Sequence, residues 1–224
     1  MTPLPADVAR LYADQAARVR AHVAIRWRSC PFGLVAARVP PGGRILDYGC
    51  GHGAFAAWLA LASPDRDVTG VDVDPDKIAS ASAAADAART KGLPAPRFSR
   101  IEPGEIPAGP WDAVVLLDVL YLLPHREQER LLRGLARTLA PGSILLVKEV
   151  AGRPRWKALW NRVQETLAVR VLRITAGDGL RFLSPDRHAA WLSEEGLSIE
   201  SIPADAGYLH SHHLIVSRRP GAPD

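Results

Sequence analysis

One stretch, Arg44–Phe55 (RILDYGCGHGAF), limits what this chain can fold into more than any other. Ile45, Leu46 and Tyr48 predict a short buried strand, Gly49, Gly51 and Gly53 a turn with little side-chain bulk, and Ala54 to Leu61 a helix. Strand, glycine turn and helix in that order form a nucleotide-site arrangement. Glycines accept positive φ and let a ligand approach the backbone, while the helix start offers unpaired N–H groups. An ordinary tight turn uses glycines equally well, and GCGHGA satisfies both G-x-G-x-x-A and G-x-G-x-G, so the surroundings must decide.

Alternation governs the chain from Asp67 to Val150. DVTGVDV (67–73) predicts a second strand, Pro75 to Thr90 an alanine-rich helix, Arg97 to Ile101 a third strand and Trp111 to Leu117 a fourth. His125 to Leu139 then reads as a helix and Ser143 to Val150 as a fifth strand. Strands alternating with helices imply a mostly parallel sheet covered on both faces. Asp72 falls near the end of the second strand, where an acid about 20 residues past the glycines can accept both hydroxyl protons of a ribose. Asp74 and Asp76 are better explained by favourable charge at a helix N-terminus.

Ahead of this core, Ala6 to Trp27 is amphipathic and helical, with Arg10, Arg18, Arg20, Arg26 and Arg28 in or beside it; it serves either as a lid or as a docked cover. Residues 1–43 are thus an N-terminal helical segment, 44–218 the main domain and 219–224 a loose tail. Beyond Gly152 the alternation breaks. Residues 153–175 predict a helix with Trp156, Leu159, Trp160, Val163, Leu167 and Ile174 on one stripe, and with Arg153, Arg155, Lys157, Arg162, Arg170 and Arg173 against Glu165 alone. This insertion extends to about 182; a helix from Ser184-Pro185 to Gly196 and strands at 197–202 and 211–217 complete the pattern.

With 224 residues and 47% hydrophobic content the chain can bury one sizeable core, and a net charge of +4 makes it mildly basic. Two cysteines, Cys30 and Cys50, give neither metal spacing nor a disulfide framework, and the N-terminus lacks the basic and apolar blocks of a signal peptide. A cytoplasmic protein without a metal centre is the expectation.

Asp47 separates the two nucleotide readings: an acid there is awkward beside a pyrophosphate but natural beside a cationic amino group. At this point the chain resembles the class I S-adenosylmethionine-dependent methyltransferases, over about residues 44–150. ILDYGCGHG is similar to their first motif, GVDVDP to the second-strand motif and WDAVVLLDVLYLLP to the fourth-strand motif. The resemblance implies an α/β fold: a doubly wound, seven-stranded Rossmann-like sheet, parallel except for strand seven, with a helical insertion after strand five. It implies S-adenosylmethionine as cofactor, held by Asp47, Gly49, Cys50, Gly51, His52 and Gly53 at the first motif and by Asp72 and Val73 at the ribose. Aligning Ile106-Pro107 with the family's leucine-proline pair puts Ile101 and Glu102 at the adenine, although the family more often has Gly-Asp there; Asp118 and Val119 fall beside the methionine part.

The same resemblance brings the hairpin after strand six to the cofactor edge, so Glu149, Tyr208 and His210 become the candidate catalytic residues, with Asp205 and Lys148 nearby. An in-line displacement from a sulfonium needs alignment and exclusion of water, and an oxygen or nitrogen nucleophile also needs a base. The expected acceptor is a small molecule. RWRSCPF (26–32), the GHG turn and RPRWKALWNRVQE are similar to small methyltransferases of aryl polyene pathways, which implies an aromatic or fatty-acid-like intermediate on an acyl carrier protein. The basic 153–173 helix suits that acidic carrier or an anionic membrane face, making the protein peripheral to the membrane; a purely structural helix fits equally. Two other readings stay open: a nucleic-acid methyltransferase, disfavoured because DVLY replaces an Asn/Asp-Pro-Pro-aromatic motif, and a noncatalytic or nicotinamide-dependent nucleotide binder.

Overall fold

The computed structural model describes residues 3–150, 182–204 and 212–221. Seven strands form one sheet: β1 (Gly43–Tyr48), β2 (Arg66–Asp72), β3 (Arg97–Arg100), β4 (Trp111–Leu117), β5 (Leu139–Val150), β6 (Ser198–Pro203) and β7 (His212–Arg218). Their order is β3-β2-β1-β4-β5-β7-β6, with β7 antiparallel to both neighbours and the other pairs parallel. The expected sheet is therefore present. The order reverses between β1 and β4, and in such sheets ligands bind outside the carboxyl ends of the strands at that switch.

Period-two alternation divides the core. Ile45, Ala113, Val115, Ile144, Leu146, Leu214 and Val216 point to one face, against Phe55 and Leu59 of α4 (Ala54–Ala62). Leu46, Val114, Leu116, Leu145, Val147 and Ile215 point to the other, against Leu131, Leu132 and Leu135 of α6 (His125–Arg137) and Trp191 and Leu192 of α7 (Pro185–Glu194). Each fully buried aliphatic side chain contributes roughly 1.5–3 kcal/mol before entropy is counted, so these two layers dominate stability. Helix α5 (Pro75–Thr90) starts with Pro75 and is capped by Asp74, whose Oδ1 accepts the Asp76 N–H at 3.0 Å.

Three boundaries differ from the sequence reading. The N-terminal helix is two helices, α1 (Ala6–Leu11) and α2 (Ala17–Ser29), followed by a short α3 (Phe32–Ala36). The break is made by tertiary bonds that outweigh helix propensity: Tyr12 donates its hydroxyl to the His52 carbonyl at 2.6 Å, and Gln15 bonds the Ser80 carbonyl at 3.0 Å. Second, α6 stops at Arg137 and β5 begins at Leu139, because Leu139 pairs with Trp111 and the strand continues through a register irregularity. Third, Val73 and Ile101 lie just past the ends of β2 and β3 rather than inside them.

The N-terminal helices dock on the outside of α4 and α5. Val8, Leu11, Tyr12 and Val23 pack on Ala57, Ala84 and Ala88, while Trp27 meets Trp58 edge-on and Phe32 stacks on Phe55. The helix expected at 153–175 and the loop carrying Asp205, Tyr208 and His210 lie outside the described residues. Among the described residues no helix is long and apolar enough to cross a membrane.

Candidate functional site

The turn after β1 is fastened to the end of β2. Gly49 and Cys50 both donate N–H to the Val71 carbonyl, at 2.8 and 3.0 Å, and Gly51 donates to Asp72 Oδ2 at 2.9 Å. Gly49 and Gly53 have φ of +77° and +78°, and each lacks room for a side chain: a Cβ would lie 2.4 Å from Val119 Cγ2 at Gly49 and 2.5 Å from the Phe98 ring at Gly53. Gly51 also has positive φ, but a Cβ there would meet no described residue within 4 Å. The backbone at Gly51 is thus approachable from outside while its neighbours are locked. Gly53 heads α4 without any side-chain cap, which leaves the first N–H groups of that helix to other acceptors.

Asp47 is one of these acceptors. Its carboxylate is buried at 2% exposure under the turn, and its Oδ2 has no hydrogen-bond partner among the described residues. Burial pushes its pKa up to about 7; Arg26 and the Ala56 N–H oppose the rise and Asp72 adds to it. Asp72 is also buried, with Oδ1 accepting the Asp74 N–H at 2.9 Å. Ile101 is buried and donates N–H to the Asp72 carbonyl at 3.1 Å, and Val73 is half-buried beside it. Glu102, by contrast, turns outward: its side chain is 72% exposed and pairs with Arg100 at 3.2 Å.

Across the switch, Asp118 directly follows β4 with φ +60°, an uncommon conformation for a residue with a side chain. Lys148 Nζ lies 2.7 Å from both of its oxygens, and Arg26 of α2 reaches Oδ2 at 2.7 Å. Burial alone would raise the Asp118 pKa, but the two cations outweigh it and hold the carboxyl below its ordinary range. Glu149 Oε1 accepts the N–H groups of Val119 and Leu120 at 3.1 and 3.0 Å. Burial and the neighbouring Asp118 push Glu149 up to about 8, against the pull of those N–H groups and Lys148.

The N-terminal segment closes the arrangement. His22 lies edge-on to His52 with ring centroids 4.9 Å apart, and burial with the nearby His22 and Lys77 lowers the His52 pKa to about 4, so that ring is neutral at pH 7. Asp47, the glycine turn, Asp72, Asp118, Val119 and Glu149 lie at the carboxyl ends of β1, β2, β4 and β5; Glu102 turns outward, and Tyr208 and His210 fall outside the described residues. Arg26 and Tyr12 were not singled out by sequence reasoning. Nothing distinguishes Arg26 from its neighbouring arginines, although a lysine inside ILLVKEV signals that Lys148 needs a buried counter-charge.

A family model described as a methyltransferase domain matches residues 26–202. A ubiquinone biosynthesis O-methyltransferase from Xylella fastidiosa is 31% identical over 176 residues, covering 75% of this chain and 66% of that protein, so the chain spans just under two thirds of its length. An O-methyltransferase family protein from Burkholderia thailandensis shares the fold at a TM-score of 0.68 and 19% identity, over 96% of this chain and 63% of that one. So does a magnesium protoporphyrin IX methyltransferase from Synechocystis PCC 6803 with bound S-adenosylmethionine, at 0.64 and 20%, over 95% and 89%. Since the family match covers residues 26–202, on both sides of the switch in a seven-stranded sheet whose last strand is antiparallel, the chain belongs to the class I S-adenosylmethionine-dependent methyltransferases.

Proposed function

We propose that this protein methylates an oxygen of a small-molecule acceptor, with S-adenosylmethionine as donor. The observation that carries the donor side is the buried Asp47 Oδ2, without a hydrogen-bond partner among the described residues, beneath a glycine turn whose middle residue, Gly51, is tied to Asp72. A buried carboxylate with one oxygen left over fits an ammonium group, and the approachable backbone at Gly51 fits a ligand lying across the turn. Asp47 would take the amino group, with Gly49, Cys50, Gly51, His52 and Gly53 bordering the methionine part. Asp72 and Val73 would take the ribose, Ile101 and Glu102 the adenine, and Asp118 and Val119 the side of the methionine chain. Glu102 must leave Arg100 to do so. The bound donor supplies a methyl group already activated on a sulfonium.

This assignment has a calorimetric consequence. A carboxyl poised at about pH 7 that gains an ammonium neighbour has its pKa lowered, so at pH 7 binding should release up to about half a proton. Titrations in buffers of different ionisation enthalpy measure that number directly. Zero release at pH 7 would detach Asp47 from the amino group.

An oxygen acceptor gives up its hydroxyl proton as the O–CH₃ bond forms, and Glu149 is our candidate to take it at Oε2, since Oε1 is engaged with Val119 and Leu120. The O-methyltransferase relatives support an oxygen nucleophile. An aromatic or fatty-acid-like acceptor on an acyl carrier protein, and membrane docking through residues 153–173, remain the finer reading from the sequence. The test is mass spectrometry after incubation with labelled donor and a panel of phenols, hydroxylated lipids and carrier-tethered acceptors. Methylated product from one class identifies the acceptor, whereas binding of NADH in place of S-adenosylmethionine would overturn the assignment. With a productive acceptor, the rate should rise with pH through about 8 as Glu149 ionises, and Glu149→Gln should lower it by roughly a hundredfold or more and remove that rise. A rise that persists in the variant transfers the role to Tyr208 or His210.

A further inference from the structure

The turn that follows β4 is held from two sides. From within the sheet, Lys148 bonds both oxygens of Asp118, the Asp118 N–H bonds the Lys148 carbonyl at 2.8 Å, and Glu149 Oε1 gathers the next two N–H groups. From outside the sheet, Arg26 donates Nη1 to Asp118 at 2.7 Å and Nη2 to the Leu117 carbonyl at 3.3 Å, with its guanidinium 5.5 Å from the centre of the Phe32 ring. Arg26 thus reads one side chain and one carbonyl of the same turn at once, which the planar guanidinium fork permits and an ammonium does not.

What this turn touches gives the contact its importance. Val119 sits so close to Gly49 that no Cβ fits between them, so a shift of the Val119 side chain toward Gly49 would have to move the glycine turn. Asp118 holds a left-handed conformation, and such conformations persist only where surrounding contacts over-determine them. Arg26 belongs to α2, which is anchored independently by Val23 and Trp27 in the apolar layer over α4 and α5. A fixed helix therefore carries a fixed cation onto the end of β4.

We propose that Arg26 is a positioning residue for methyl transfer: through Asp118 and Leu117 it sets the β4 end against the glycine turn, making α2 a structural part of the donor site. This rests on the proposed donor site. It also means that the N-terminal segment does more than cover the domain, because one of its side chains fixes the geometry of the turn that faces the donor.

The experiment compares the full chain with Arg26→Met and Arg26→Lys, measuring S-adenosylmethionine affinity by calorimetry, KM and kcat with the acceptor identified by the panel, and melting temperature. Lys148 still pairs both oxygens of Asp118 in these variants, so the fold should survive. Arg26→Met should weaken donor affinity about tenfold and raise the donor KM in step, with the acceptor KM little changed. Arg26→Lys, which restores the charge on Asp118 without the second bond to Leu117, should fall between it and the native protein. Donor affinity in Arg26→Met within twofold of native would overturn the proposal, as would a parallel loss of affinity and melting temperature that Arg26→Lys fails to rescue. Absence of donor binding by the native protein would instead overturn the donor-site reading itself.

Discussion

Replacing Asp72 with alanine is expected to weaken S-adenosylmethionine binding about 100-fold, or roughly 2.7 kcal/mol. The size follows from what the carboxylate does twice over. Its oxygens accept the Gly51 and Asp74 N–H groups at 2.9 Å, which pins the glycine turn to the start of α5, and each oxygen keeps a second lone pair for a ribose hydroxyl. Hydrogen bonds to a charged acceptor are worth about 1.5–3 kcal/mol each, so losing the hydroxyl contacts and the pinned turn together reaches this range without any other change. Asp72→Asn, which keeps one carbonyl oxygen, should be milder. Calorimetry on folded variants decides the matter, and native affinity in Asp72→Ala would remove the ribose assignment.

The second large effect concerns stability. Lys148→Met should destabilise the protein by about 3 kcal/mol, read from the urea midpoint, because it leaves the buried Asp118 without the cation that bonds both of its oxygens. Methionine fills similar volume, so the loss reports charge rather than a cavity. The acid limb should move as well. Asp118 has a folded pKa depressed to about 2, below its unfolded value of about 3.9, so its contribution is fully present above that unfolded value and is lost as pH falls through 2. With Lys148 gone the depression shrinks, and acid unfolding should begin at higher pH. An unchanged midpoint and acid limb would show that Arg26 suffices to compensate Asp118.

Much of the architecture was legible because central strands covered on both faces need apolar side chains at every position, which makes them stand out as continuous apolar runs between helices and turns. The alternating partners in VVLL of β4 and ILLV of β5 occupy opposite apolar layers, as their spacing requires. The glycine turn was legible for a similar reason: Gly49 and Gly53 are forced by positive φ and close neighbours, constraints that few other residues satisfy. Charges were harder to place. Arg26 meets Asp118 across more than ninety residues of chain, and no local pattern marks which arginine of an amphipathic helix turns inward. The break at Tyr12 was hidden likewise, since it depends on a carbonyl in the glycine turn rather than on a glycine or proline nearby. Glu102 shows the reverse: alignment by the Ile106-Pro107 pair places it plausibly along the chain, yet Arg100, two residues away, holds its carboxylate outward.

The position of β7 between β5 and β6 bears on how this protein is made. In a nascent chain, β5 leaves the ribosome well before β7, since Val150 and His212 are 62 residues apart. At about 5–20 residues per second that interval lasts roughly 3 to 12 seconds, far longer than hairpin or loop closure needs. During it the β5 edge that will pair with β7 is open, on a strand whose Leu145, Leu146 and Val147 end up fully buried. Such an edge invites pairing with other chains. Synthesis of this enzyme therefore passes through a stage in which that edge is open to chaperone capture, and a truncation before residue 212 removes the strand that covers it.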